Sequence, residues 1–211
     1  MCYNTKQTSR VTELEARFKV KLKETSRPVT SERFVGFSFP ETPVVSSNDK
    51  SAISMYQWGL IPPWSKDDGI QKFTLNAKIE TLDEKPSFRD SLQKRCLVLV
   101  NGFYEWKWLD EKGKRKLQYE ITAENDEPFA MAGIWSEWQD PVTKDKRNTY
   151  SIITTEADLF MSEIHNSAKR MPVILPNQLE MEWLNGAPHL DFVKKSIRLK
   201  AKPLHTQMEL F

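Results

Sequence analysis

The sequence predicts an α+β fold in which a mostly antiparallel, barrel-like β core is flanked by short helices. Segments with strand composition outnumber segments with helical periodicity. The predicted helices do not alternate regularly with the strands, as they would around a parallel sheet. No stretch has the composition of a linker, so we expect a single domain over residues 1–211, or 2–211 once Met1 is removed.

The first predicted helix lies in "TELEARFKVKL". Its residues Leu14, Phe18 and Leu22 recur at the helical period and would form one apolar stripe. Thr12 and Glu15 have the spacing of a capping box, so we expect them to mark its N-terminus.

Three further segments predict short helices. "KPSFRDSLQKR" carries Pro86 in its first turn, with Phe88 and Leu92 facing inward. "ADLFMSEIH" is the next, and "NQLEMEWLNG" is closed by Gly186.

The remaining segments predict strands and the loops between them. "SRPVTSERFVGFSFPETPVVSSNDKSA" is punctuated by proline and serine and indicates short strands within a loop. "AISMYQWGLIPPWSKDDG" indicates a strand that ends before Pro62 and Pro63, and "YEWKWLDEKGKRKLQYEIT" indicates a hairpin turning near Gly113. Further strands are expected in "CLVLV", "FAMAGIWSEW", "NTYSIITTEA" and "MPVIL".

The composition narrows the function classes. Hydrophobic residues make up 39% of the chain, and the mean hydropathy of -0.59 is typical of a soluble globular protein. A net charge of +2 is too small to indicate nucleic-acid binding by itself, so an anionic partner would need a local basic patch. No signal peptide or membrane-length segment is apparent, which predicts a cytoplasmic protein in a reducing compartment.

Two cysteines and three scattered histidines lack the spacing of a zinc site, so we expect neither a metal nor a cofactor. Cys96, within "RCLVLV", is expected to be a small buried hydrophobic residue. Cys2 stands directly behind Met1 and would become the N-terminus on methionine removal. Its α-amine, with an ordinary pKa of about 7.7–8.0, and its thiol, at about 8.5, would both be partly nucleophilic at neutral pH.

Such an aminothiol can capture an aldehyde as a Schiff base and close it to a thiazolidine. It can also act as an N-terminal nucleophile with the amine as base for the thiol. A lone cysteine at this position can also be incidental, with no chemical role. Other residues of the sequence are needed to choose between these interpretations.

Three other stretches carry candidate polar groups. "LNAKIET" contains Asn76, "NGFYEWKW" contains Glu105 in an otherwise apolar segment, and "EIHNSAKRMPVIL" contains His165 and Arg170. Taken singly, each has an ordinary structural role: an amide in a turn, a charge at a strand edge, a histidine capping a helix.

Taken together, the chain resembles the SOS response-associated peptidase (SRAP) family over nearly its whole length. The markers, in family order, are Cys2, "WGLIPPW", "NAKIET", "KPSFR", "RCLV", "NGFYEW" and "RMPVIL". The resemblance implies a barrel-like sheet core and binding of single-stranded DNA that carries an abasic site. It also implies a covalent thiazolidine crosslink between Cys2 and the ring-opened sugar. The family name reflects a proposed self-processing peptidase activity that exposes Cys2.

The resemblance also implies roles for the candidate residues. Cys2 would supply both nucleophiles, and Asn76 would hold the terminus and the sugar by hydrogen bonds. Glu105 would accept a proton and stabilise the Schiff-base cation, with a pKa raised by its aromatic neighbours if it is desolvated. His165 would donate the proton that opens the deoxyribose ring and reverses the crosslink.

Several residues are expected to contact the DNA through basic, apolar or hydroxyl groups. Lys78, Arg89 and Arg170 are expected to contact phosphates, and Thr154 and Thr155 could donate to a phosphate. Trp64 is expected to stack on an exposed base, and Pro40 to form an apolar wedge. Trp58 is instead expected to pack in the core.

The chain departs from the family pattern in three places. Tyr3 and Asn4 follow Cys2, where the family commonly has Gly and Arg. Lys78 stands where arginine is usual, which keeps the charge without the bidentate fork. Four residues separate His165 from Arg170, where shorter spacings are common.

Three alternatives stay open at this point. Cys2 could be the nucleophile of a thiol hydrolase or peptidase, assisted by Glu105 and His165. The chain could be a non-covalent nucleic-acid-binding module in which Cys2 is incidental, or an enzyme acting on small aldehydes. We expect a monomer with no membrane association.

Overall fold

The computed structural model describes residues 2–208, with side chains described as far as Leu204. This part of the chain contains fourteen strands and three α-helices. The strands are β1 (Asn4–Gln7), β2 (Lys21–Leu22), β3 (Ser31–Val35), β4 (Glu41–Ser46), β5 (Asp49–Trp58), β6 (Asn76–Lys78), β7 (Arg95–Val100), β8 (Gly102–Trp108), β9 (Arg115–Ala123), β10 (Phe129–Gln139), β11 (Lys146–Glu156), β12 (Arg170–Pro172), β13 (Ile174–Leu175) and β14 (Leu199–Met208). The helices are α1 (Val11–Phe18), α2 (Leu159–Ile164) and α3 (Glu180–Leu184).

Five strands form a closed ring in the order β11-β10-β7-β4-β5. Neighbours in that order pair antiparallel, and the ring closes where β5 pairs parallel with β11, with Gln57 opposite Thr149 and Trp58 opposite Tyr150. Closure leaves these strands without a free edge along the seam. The predicted α+β class with a mostly antiparallel, barrel-like core is therefore confirmed.

A second sheet has the order β14-β9-β8-β1-β3, and all its pairings are antiparallel. In this sheet β1 lies between β8 and β3, with Thr5 opposite Phe103 and Asn4 opposite Val35. The segment around Cys2 is thus fixed by strand pairing immediately after the cysteine.

The core is divided into two clusters by the alternation of side chains along the barrel strands. In β7, Cys96 and Val98 belong to the first cluster, which also contains Cys2 and Phe103. Leu97 of the same strand belongs to the second cluster, which packs against the helices. Cys96 and Trp58 are fully buried, as their sequence contexts predict.

The first helix is present, but its predicted cap is wrong. The helix starts at Val11 with Arg10 as its N-cap, two residues before the predicted cap Thr12, and the Glu13 carboxylate accepts the Arg10 backbone N–H at 2.9 Å. Glu15 is not free to complete a box with Thr12, because its carboxylate accepts the Leu22 N–H at 2.9 Å. Leu22 itself lies in β2 and not on the helix.

Two other segments also differ from the prediction. "KPSFRDSLQKR" forms only a 3-10 turn over Arg89–Ser91, because the chain must enter β7 only four residues later. "MPVIL" forms two short strands separated by Val173, since β12 pairs with β11 whereas β13 pairs with β10. The hairpin near Gly113 and the helices ending near His165 and Gly186 are confirmed.

Candidate functional site

Cys2 lies fully buried in the first core cluster. Its thiol is 3.9 Å from the carbonyl oxygen of Asn4, and the backbone carbonyl of Tyr3 accepts the Gly36 N–H at 2.8 Å. Burial raises the pKa of the Cys2 thiol far above its usual range, and the negative charge of Glu105 adds to the rise. The thiol is therefore held neutral in the folded protein.

Asn76 connects the N-terminal segment to the barrel. It lies in β6, which pairs parallel with β11 and places Asn76 opposite Ile152. Its side-chain amide donates a 2.8 Å hydrogen bond to the carbonyl oxygen of Cys2. The preceding residue, Leu75, accepts the indole N–H of Trp58 at 2.8 Å, which fixes the start of the short strand. Asn76 is therefore held through its backbone by β11 and bonded through its side chain to Cys2.

Glu105 and His165 form the second half of the site. Glu105 lies in β8 and is almost fully buried, and this burial raises the pKa of Glu105 to about 7. Its Oε2 is 3.8 Å from Nε2 of His165. A carboxyl with this pKa is present in both protonation states near neutral pH, which suits proton transfer.

His165 follows α2 and is oriented by the residue that begins β12. Its Nδ1 lies 2.7 Å from the carbonyl oxygen of Arg170. Since a carbonyl only accepts hydrogen bonds, Nδ1 carries a proton, and Nε2 is the nitrogen that faces Glu105. Burial lowers the pKa of His165, so the neutral imidazole is favoured at neutral pH.

The structure thus brings together the four residues that the sequence singles out for chemistry. Asn76 bonds to Cys2, Glu105 acts electrostatically on Cys2, and His165 is next to Glu105. No group of three or more His, Cys, Asp or Glu side chains within the described part of the chain could hold a metal ion.

Two of the predicted phosphate contacts flank the site along β11. Lys78 is exposed and lies opposite Thr154 in the parallel pairing of β6 with β11. Arg170 is largely buried, and its guanidinium donates to both carboxylate oxygens of Glu80, at 2.9 and 2.8 Å, and to the Thr154 carbonyl at 2.7 Å. Thr155 is fully buried, and its hydroxyl has no hydrogen-bond partner within residues 2–208.

Trp64 projects from the loop between β5 and β6, with 53% of its surface exposed. The loop is anchored next to it, because the Ser65 carbonyl accepts the Trp138 indole N–H at 2.8 Å. A second anchor is the ion pair of Arg147 with Asp68 at 3.0 Å. An exposed ring on a tethered loop is available for stacking with a base.

Pro40 and Arg89 have different surroundings. Pro40 is half-buried, and its carbonyl accepts the backbone N–H of Trp58 at 2.9 Å, so it lies near the seam of the barrel. Arg89 is exposed beside Asp90, and the preceding Phe88 packs in the second core cluster. Within the described residues, no contact joins Arg89 to the group around Cys2.

Sequence reasoning missed two features of the site. Glu80 forms the bidentate ion pair with Arg170, and Tyr3 packs its ring against the exposed ring of Phe37 at a centroid distance of 5.0 Å. The only sequence signal for Glu80 was its place in "NAKIET", two residues after Lys78.

Comparison with known proteins gives a consistent result. A family model described as SOS response associated peptidase (SRAP) matches residues 1–209. The chain is 42% identical over 143 residues to the abasic site processing protein YoqW of Bacillus subtilis (strain 168), covering 67% of this chain and 61% of that protein. It is 36% identical over 155 residues to the abasic site processing protein HMCES of Gallus gallus, covering 62% of this chain and 44% of that protein.

Solved structures resemble the fold over most of its length. A protein from Bacteroides thetaiotaomicron superposes with a TM-score of 0.86 at 28% identity, covering 97% of this chain and 92% of the other. A protein from Bordetella bronchiseptica gives a TM-score of 0.78 at 20% identity, which shows a shared fold. None of the helices between residues 2 and 208 is long and apolar enough to cross a membrane.

Proposed function

Since the chain belongs to the SRAP family, we propose that it processes abasic sites by trapping them covalently in single-stranded DNA through Cys2. The observation that carries the proposal is the 2.8 Å hydrogen bond from Asn76 to the Cys2 carbonyl, next to the Glu105–His165 pair. These contacts support Cys2 as the reactive residue, because they fix its position next to groups that can transfer protons. The chain spans 61% of the length of its relative YoqW.

The proposed reaction starts after Met1 has been removed. The α-amine of Cys2 adds to the aldehyde carbon of the ring-opened abasic sugar and gives a carbinolamine. Loss of one water gives an iminium, and the Cys2 sulfur then adds to the same carbon. The thiol proton leaves, the iminium nitrogen becomes a neutral amine, and a five-membered thiazolidine is closed. The net change is the loss of one water, with no redox step.

Glu105 and His165 supply the proton transfers that this sequence needs. Glu105, with a pKa of about 7, accepts a proton from the attacking amine, returns it to the carbinolamine hydroxyl that leaves as water, and then stabilises the iminium as a carboxylate. His165 exchanges a proton with the sugar oxygen as the ring opens. The raised pKa of the buried thiol means that a base must take its proton during ring closure, and Glu105 is the candidate.

The rest of the DNA is held without reading its sequence. Exposed Lys78 contacts a phosphate next to the lesion, and Trp64 stacks on an unpaired base. Arg170, Arg89 and Pro40 complete the proposed set of DNA contacts, and Thr155 is left out of it because the structure buries that residue completely.

The direct test uses purified protein and a single-stranded oligonucleotide with one abasic site. After incubation, a denaturing gel should show a shifted band that is absent with Cys2→Ala and with DNA that has no abasic site. Intact mass should show the loss of Met1. If the mature, Met1-free protein gave no band, the proposal would be refuted.

The hydrolase alternative predicts a different result with the same protein. It requires turnover of a peptide substrate in trans that depends on Cys2. The neutral, fully buried thiol argues against a ready thiolate nucleophile. Binding of abasic DNA without any crosslink would favour the non-covalent module instead.

A further inference from the structure

Glu80 is an acidic residue beside a site that has to bind a polyanion. Its carboxylate accepts two hydrogen bonds from the Arg170 guanidinium, at 2.9 and 2.8 Å, in a bidentate pair. The Arg170 side chain has only 12% of its surface exposed, whereas the Glu80 side chain is 35% exposed, so the pair lies at the surface with its arginine side buried. Pairs with this geometry fix orientation as well as charge.

The same arginine is tied to the barrel by a third bond. Its Nη2 donates to the backbone carbonyl of Thr154 at 2.7 Å. Burial would raise the pKa of Glu80, but the hydrogen bonds that its carboxylate accepts outweigh it and keep the pKa below its usual value, so the carboxylate stays charged. Residue 170 is therefore clamped to β11 by its side chain.

The backbone of Arg170 is what orients the histidine. Its carbonyl oxygen lies 2.7 Å from Nδ1 of His165. The turn between them contains Lys169 in the left-handed region, with φ of 49°, and the Lys169 N–H donates to the His165 carbonyl at 2.8 Å. A shift of residue 170 would pass directly to the imidazole and alter the 3.8 Å distance from Nε2 to Glu105.

We propose that Glu80 is a positioning residue, which holds His165 in its reactive tautomer and orientation by clamping Arg170. The inference rests on the proposed function. Glu80 touches neither the sugar nor the reacting atoms. It contributes negative charge next to the DNA path, so it should weaken binding while it speeds the chemical step.

The test separates those two effects. The variant Glu80→Gln removes the charge and one of the two strong acceptors while keeping the side-chain length. Its affinity is measured with DNA containing a tetrahydrofuran abasic analogue, which has no aldehyde and cannot crosslink. Its crosslinking rate constant is measured at saturating abasic DNA from about pH 5 to about pH 9, which spans the ordinary histidine and amine pKa values.

We expect Glu80→Gln to bind the analogue as tightly as the unchanged protein or a few-fold tighter, because one negative charge is gone. We expect the rate constant to fall about tenfold, as for a misplaced catalytic group. The matched control is Glu156→Gln, which removes the same charge from an exposed residue directly opposite Arg170 in the β11–β12 pairing. It should show the gain in affinity without the loss in rate.

Nitrogen NMR of the imidazoles provides a readout that is independent of turnover. The sequence has three histidines, so the His165 signal can be assigned with His165→Asn. The unchanged protein should show the tautomer protonated at Nδ1, and Glu80→Gln should show a mixture. This measurement also shows whether the variant is folded.

Two results would overturn the inference. An increase of both affinity and rate in Glu80→Gln would mean that Glu80 only masks the charge of Arg170. A folded Glu80→Gln protein with unchanged rate and unchanged His165 tautomer would mean that the clamp has no role in positioning. If the unchanged protein itself formed no crosslink, the proposed function would fail first.

Discussion

The side-chain amide of Asn76 donates to the backbone carbonyl of Cys2 at 2.8 Å, so a residue of β6, which pairs with the barrel strand β11, holds the residue proposed to react. Asn76→Ala removes this bond. We expect the crosslinking rate constant to fall roughly 100-fold, as for small displacements of reacting groups. The loss of unfolding free energy should be only about 1 kcal/mol, the net value of one hydrogen bond. Rates come from quenched gels and stability from urea denaturation.

A matched control is Asn101→Ala. The Asn101 side chain accepts the N–H groups of Thr8 and Ser9, at 2.8 and 3.0 Å, beyond the far end of β1. Its loss should lower stability to a similar or greater extent without the fall in rate. Equal rate losses in the two variants would show that general loosening of the N-terminal segment, and not the bond to Cys2, controls the rate.

Cys2→Ser separates the amine from the sulfur. The α-amine remains, so a Schiff base with the abasic aldehyde should still form, and borohydride should trap it as a stable adduct. Without reductant we expect no band on a denaturing gel, because a hydroxyl is a much weaker nucleophile for ring closure than a sulfur. A stable Cys2→Ser crosslink without borohydride would show that the thiazolidine is not the linkage.

Glu105→Gln should be inactive and yet more stable than the unchanged protein at alkaline pH. The raised pKa means that the folded protein keeps a proton on Glu105 between about pH 4.5 and about pH 7, where the unfolded chain has lost it. The contribution of Glu105 to stability is therefore highest below that window and falls as pH rises through it, by roughly 3 kcal/mol in all. Glutamine removes this dependence.

The measurement is a pair of melting temperatures for Glu105→Gln and the unchanged protein. The difference in favour of the variant should be larger at pH 8 than at pH 5, where both side chains are neutral in the folded state. A difference that is independent of pH would mean that the burial of the charged carboxylate is not what costs stability.

Lys78→Ala should weaken DNA binding through loss of a phosphate contact. On single-stranded DNA, one contact corresponds to a change of about 0.7 in the slope of log affinity against log salt concentration. Arg89→Ala is the informative comparison, because Arg89 is also exposed and cationic but lies beside the second core cluster. A slope change for Arg89→Ala equal to that for Lys78→Ala would extend the DNA path to that side of the molecule.

Trp64→Ala should reduce the affinity for the tetrahydrofuran-containing strand by roughly 5- to 150-fold, corresponding to about 1–3 kcal/mol for one stacked base. Its effect on stability should be small, since half of the side chain is exposed. Leu190→Ala, at 56% exposure, serves as the control for removing an exposed apolar side chain and should bind normally. Unchanged binding of Trp64→Ala would remove the base-stacking role.

The sequence predicts the strands of the barrel well because their patterns are local. "CLVLV" and "NTYSIITTEA" are apolar and rich in β-branched residues, and both are buried strands. "MPVIL" looks equally continuous, but it changes partner at Val173, and a partner change leaves no trace in hydrophobicity. The strand β6 pairs with β11 over three residues, which is too short for a strand pattern to be recognised in the sequence.

The candidate site shows the same division. The four residues proposed for chemistry are found by resemblance, and the structure shows that Asn76 bonds to Cys2 and that Glu105 lies next to His165. The clamp of Glu80 on Arg170 joins residues 90 positions apart, and the Tyr3–Phe37 contact depends on the pairing of β1 with β3. Neither follows a local period, so no window of sequence could have indicated them.

The parallel seam between β5 and β11 has a consequence for how the protein becomes competent. Gln57 meets Thr149, and Asn76 meets Ile152, so both pairings join distant parts of the chain. Long-range pairings of this kind are slow to form, because bringing distant parts of the chain together costs loop-closure entropy. The hydrogen bond from Asn76 to Cys2 can therefore form only when about three quarters of the chain has folded. A partly folded molecule would have the aminothiol of Cys2 without the hydrogen bond from Asn76. Reactivity is therefore coupled to completed folding.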